Sequence, residues 1–83
     1  MIVSLDKVKI KERFVFPNKV EKELGTHGVF RVSVPYSKDI IRVKKLNAED
    51  EFLVKYLETG TSIKNQKTGK KIKFPNKVLV IID

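Results

Sequence analysis

Residues 28–57 read GVFRVSVPYSKDIIRVKKLNAEDEFLVKYL, and the order of patterns inside this stretch decides the fold. Phe30, Val32 and Val34 alternate with Val29, Arg31 and Ser33, the period of two that marks a strand with one apolar face. Pro35 closes that run because it cannot donate to a ladder. Residues 47–50 (Asn-Ala-Glu-Asp) have turn composition, and Phe52, Val54 and Tyr56 then begin a second alternating strand. Between the two, residues 38–46 admit two readings. Ser37 is a good N-cap, Asp39 suits the positive end of a helix, and Ile40, Val43 and Leu46 recur every three residues. Against this, Ile40, Ile41 and Val43 are β-branched and favour a strand equally well.

On the N-terminal side, Ile2, Val3 and Leu5, then Val8, Ile10, Phe14 and Phe16, predict one or two strands with a break near Asp6 and Lys7. Residues 16–25 predict a short helix, with Pro17 in its first turn, Gly25 just past its last, and Val20 and Leu24 on one face. On the C-terminal side, residues 62–73 predict a hairpin tipped by Lys67, Thr68, Gly69 and Lys70, where Gly69 supplies a positive φ. Residues 78–82 are continuously apolar, so they belong in a central strand or against a partner. The fold expected is mainly β (α+β): a single small basic domain over residues 1–83, with a sheet or barrel of five to six strands and one or two short helices.

Length and composition bound the function. A chain of 83 residues closes one modest core. No run approaches the roughly 18 apolar residues of a membrane span, and residues 1–10 lack a signal-peptide block, so a cytoplasmic protein without membrane contact is expected. With no cysteine there is no disulfide, thiolate nucleophile or cysteine zinc site. A small domain without such staples often self-associates, and a homodimer is expected. Eighteen Lys and Arg against ten Asp and Glu leave a net charge of +8, which attracts polyanions. The bland alternative is a lysine-rich solvated surface.

Catalysis has little support. His27 is the sole histidine and sits in a turn-like stretch without a neighbouring carboxylate partner. Glu49, Asp50 and Glu51 are consecutive rather than spaced as calcium ligands, and the four glycines form no phosphate-cradling loop. No enzyme activity, cofactor, metal or small-molecule substrate is therefore expected. The pentapeptide Phe-Pro-Asn-Lys-Val occurs at 16–20 and again at 74–78. One copy runs into a helical composition and the other into a strand, which favours coincidence or a shared way of starting an element over duplication.

The lysine hairpin is the better candidate site. Lys64, Lys71 and Lys73 alternate with Ile63, Ile72 and Phe74, giving a cationic and an apolar face, and Lys67 and Lys70 extend the charge to the tip. A two-stranded ribbon fits the DNA major groove, with lysines contacting phosphates. Arg13, Arg31 and Arg42, the only arginines, are the groups suited to bidentate base recognition. The aromatics interleaved with lysines offer a second route, stacking of single-stranded bases on an OB-like barrel, although most such rings in a small domain belong in the core.

Val32, Val34, Pro35, Leu46, Asp50, Phe52 and Val54 together form a pattern that resembles the half-module of AbrB/SpoVT swapped-hairpin transcription factors, over about a third of the chain. The resemblance implies a homodimeric DNA-binding regulator in which Arg31 and Lys38, beside the first strand, contact DNA. The sequence thus leads to a nucleic-acid-binding protein, most simply of duplex DNA, with Arg31, Lys38, Lys64, Lys67, Lys70, Lys71 and Lys73 as contact residues. The alternative is a non-enzymatic interaction module for an acidic protein surface.

Overall fold

The computed structural model describes residues 1–33 and 39–83. Eight strands form one antiparallel sheet that curls into a half-barrel. They are β1 (Ile2–Ser4), β2 (Arg13–Val15), β3 (Val29–Val32), β4 (Ile40–Lys45), β5 (Glu51–Leu57), β6 (Gly60–Asn65), β7 (Lys71–Phe74) and β8 (Leu79–Ile82). The spatial order is β1-β8-β2-β3-β4-β5-β6-β7, so β3 to β7 form a meander while the last strand enters between the first two.

This corrects the expectation of five to six strands. β1 and β2 have three residues each, too few to display an alternation, and a 3-10 turn at Leu5–Lys7 separates them from one another. Residues 40–45 form a strand, not a helix: β-branching at Ile40, Ile41 and Val43 suits the pleat, and β3 and β5 offer ladders on both sides. Lys38 and the Val34-Pro35 strand end lie outside the described residues. The one α-helix among the described residues, α1 (Asn18–Leu24), is shorter than the sequence suggested, because Pro17 caps it from outside in an extended conformation. Gly25 ends it in the left-handed region at φ 72°, its N–H bonded back to the carbonyl of Glu21.

The core lies on the concave side. Phe14, Phe30, Val43, Val54, Ile63 and Val80 are fully buried, each from a strand position that alternates with an outward residue. Four phenylalanines form its centre: Phe14, Phe16, Phe30 and Phe52 contact one another with ring centroids 5.1–6.1 Å apart. Burying each such ring contributes about 1.5–3 kcal/mol. α1 contributes Val20 and Leu24 against this core. The apolar run at 78–82 finds its central place, with Val78 and Val80 buried in the core and β8 hydrogen-bonded to β1 and β2.

Glycine is required at one position in the meander. Gly60, at φ 144°, faces its partner strand so closely that a Cβ there would lie 1.9 Å from the carbonyl oxygen of Phe74. That close approach brings the end of β7 onto the start of β6 and fixes the hairpin that carries the lysines.

Candidate nucleic-acid interface

Residues directly opposite one another in a ladder share a face of the sheet. Register therefore locates the charges without further assumption. Arg13 lies opposite Arg31, and Arg31 opposite Lys44, so three cations cross three strands in one row. Acids stand at both ends of that row: Asp83 in a salt bridge to Arg13 at 3.0 Å, and Glu51 opposite Lys44. The next row runs Arg42, Leu53, Lys64 and Lys71. A third runs Ile40, Lys55, Ser62 and Lys73.

All three rows are on the convex face, since the intervening residues Phe14, Phe30, Val43, Phe52, Val54 and Ile63 are buried in the core. From β2 to β7 the outward strand positions carry Arg13, Arg31, Arg42, Lys44, Lys55, Lys64, Lys71 and Lys73 among the uncharged Val15, Val29, Ile40, Leu53, Leu57 and Ser62, with Glu51 as the one acid. Glu51 is engaged by Arg42, Nε to carboxylate 2.7 Å. Among the described residues, Arg31, Lys44, Lys64 and Lys71 have no salt-bridge partner. Strands about 4.8 Å apart and outward residues about 6.7 Å apart along each strand make this a dense cationic lattice.

Like charges directly opposite destabilise a sheet. Arg13 with Arg31, Arg31 with Lys44 and Lys64 with Lys71 are three such pairs. No packing in the fold requires them, because these side chains are exposed.

The hairpin tip is held by side-chain bonds. The Asn65 carboxamide oxygen accepts from the backbone N–H groups of Lys67 (2.8 Å) and Thr68 (3.2 Å), and the Thr68 hydroxyl accepts from the N–H of Lys70 (3.2 Å). Gly69 adopts φ 77° and donates to the Asn65 carbonyl. Lys67 is exposed at the tip itself. Lys70, opposite the inward-facing Asn65, lies beside Leu24, Phe52 and Ile72 at the concave rim.

The predicted residues therefore separate. Arg31, Lys64, Lys71 and Lys73 come together on the convex face, Lys67 is exposed at the hairpin tip, Lys70 turns to the other side, and Lys38 lies outside the described residues. Arg13, Arg42, Lys44 and Lys55 complete the face and were not in the predicted set. The signal for them was the alternation in β2, β4 and β5, which becomes a shared face only once the register is known. The interleaved aromatics have a different role: Phe14, Phe16, Phe30 and Phe52 are core and present no ring for base stacking.

Elsewhere, His27 is exposed in the turn after α1, and no group of three or more His, Asp or Glu side chains among the described residues is placed to hold a metal. Among the described residues no helix is long and apolar enough to cross a membrane. Asp6 accepts hydrogen bonds from the Ser4 hydroxyl and the Lys77 ammonium (3.2 Å for the latter), and the Ser4 bond, with Lys77 in support, holds its carboxyl below the usual carboxylate value. The Tyr56 hydroxyl is buried with no hydrogen-bond partner among the described residues. Burial, with a smaller contribution from the Asp6 charge, pushes its ionisation far above the ordinary tyrosine range.

No family model matches the chain, and comparison with curated proteins and with solved structures gives no match.

Proposed function

We propose that this protein binds nucleic acid without catalysing a reaction, as a small DNA-binding regulator or architectural protein that lays the convex face of its half-barrel on the phosphates of a duplex. The observation that carries this reading is the row of directly opposed cations, Arg13, Arg31 and Lys44, with Lys64 and Lys71 beside it. A sheet face that tolerates such repulsion gains from a polyanion that neutralises it and releases condensed counterions. A dispersed solvating surface would instead intersperse acids among the lysines. Lysines supply affinity, and Arg31, at the centre of the row, is the group suited to a base edge. The resemblance to AbrB/SpoVT regulators favours the same class of partner.

We infer a homodimer as well. Outward on β1 and β8, Ile2, Leu79 and Ile81 are 69%, 52% and 38% exposed and adjoin Val15 on β2, an apolar strip next to the cationic face. Closing two such strips on each other would set two cationic faces side by side. Light scattering should give twice the 9.6 kDa chain mass.

Fluorescence anisotropy with a labelled 20-base-pair duplex, in a series from low to moderate salt, tests the leading reading. Binding that weakens steeply with salt is the expected result. Absence of association at the lowest salt would exclude it.

A further inference from the structure

The two copies of Phe-Pro-Asn-Lys-Val face each other across a groove. Pro17 and Val20 from the first copy form one wall, and Phe74, Pro75 and Val78 from the second form the other. The groove encloses about 570 Å³, within the range of specific binding clefts. Its rim holds Lys19, Lys73 and Lys77 against Glu23 alone. In each copy the proline stops a strand, after β2 and after β7, so that the chain turns away and leaves its apolar residues beside the other copy.

One side of this groove is the edge of the sheet, since among the described residues β7 pairs with β6 and with nothing beyond it. The Asn65 N–H donates to the Lys70 carbonyl, and antiparallel bonding alternates from there. Ile72 and Phe74, opposite Ile63 and Thr61, therefore bond back to β6. The N–H and C=O groups of Lys71 and Lys73 point outward, unmatched by another strand.

We propose that this edge and groove take an extended acidic peptide as an added strand on β7. A peptide in antiparallel register would exchange backbone hydrogen bonds with Lys71 and Lys73. The residues opposite these two lysines lie on the convex face and are acidic, as cross-strand charge pairing demands. The residues between them point into the groove, against Val20 and Phe74, and are apolar. Lysines on an edge strand commonly guard against unwanted pairing. Here the guard is selective: Lys71 and Lys73 repel the same lysines on a second β7 edge and admit a strand of opposite charge. The inference is independent of the nucleic-acid reading and occupies a different surface apart from the shared Lys71 and Lys73.

The probe is a fluorescein-tagged peptide alternating glutamate with valine, about seven residues long, measured by anisotropy on the full chain, with three variants. N-methylation of the glutamate amides, which face β7, should weaken binding by about tenfold or more, as expected for lost backbone hydrogen bonds. N-methylation of the valine amides, which face solvent, should leave it within about twofold. Replacing valine by serine should weaken it through the groove. No binding of the parent peptide, equal effects of the two methylation patterns, or full binding of the serine peptide would each overturn the proposal.

Discussion

Replacing Arg31, Lys44, Lys64 and Lys71 together by glutamine should lower DNA affinity and raise the stability of the fold. All four are exposed, have no salt-bridge partner among the described residues, and occupy the first two of the three rows on the convex face. Each phosphate contact contributes about 0.9 to the slope of log affinity against log salt, so losing four removes about 3.6 from it. At about 0.1 M salt this is an upper limit of about four thousandfold in affinity, or about 5 kcal/mol. The same substitutions relieve all three like-charge pairs, Arg13 with Arg31, Arg31 with Lys44 and Lys64 with Lys71, each worth about 0.2–1 kcal/mol. A gain of that order raises Tm by several degrees in a domain of this size. Anisotropy over a salt series reads the first effect and thermal denaturation by circular dichroism the second. An unchanged slope would remove the convex face from the interface, and a fall in Tm would refute the claim that these charges are strained against each other.

Tyr56→Phe removes a buried hydroxyl that has no partner among the described residues, so urea unfolding should show unchanged or higher stability, by up to about 1 kcal/mol. Because the folded phenol resists ionisation, the parent should lose stability as pH rises above about 10 and the variant should not share that loss. Asp6→Asn should cost about 1 kcal/mol near neutral pH, chiefly through the Ser4 bond. Its carboxyl is lowered in the fold, so the stabilisation is present above the unfolded value near 4 and is lost as pH falls through the folded one; the difference between parent and variant should shrink in acid. Gly60→Ala, with its Cβ driven onto the Phe74 carbonyl and a strained φ of 144°, should destabilise by about 3 kcal/mol or more, and a loss under about 1 kcal/mol would mean that the β6–β7 approach can relax.

The sequence exposes what is local. The alternation at Phe30 and Val32 and at Phe52 and Val54, the turn at Gly69 and the helix stop at Gly25 all survive in the structure, because each follows from a few neighbouring residues. Residues 40–45 were ambiguous for a physical reason: a helical stripe and a β-branched run coexist there, and the ladders to β3 and β5, remote in sequence, decide between them. The cationic face was half visible. Lys64, Lys71 and Lys73 lie in one hairpin and declare their common side, whereas Arg13, Arg31 and Lys44 meet only through registers among three strands. That Lys70, at the hairpin tip, lies beside the inner face was not legible, because it follows from the closure of the turn by Asn65 and Lys70 as a pair. The repeated pentapeptide gave no hint that its copies would be neighbours, since one begins a helix and the other precedes β8.

The place of β8 sets an order on how the chain can fold. Among the described residues β1 has no neighbour except β8, so β1 cannot join the sheet until β8 has been made. The meander from β3 to β7 depends on short loops and can form early, but the slot between β1 and β2 must wait for a closure spanning nearly the whole sequence, which is the slow kind. During that wait Phe14 lacks the cover of Ile82, and the edge of β2 stands open. Pulse-labelled hydrogen exchange should find the amides of β1 and β8 gaining protection together, after those of β4 to β6, and the interval between the two phases is when this chain is most exposed to aggregation.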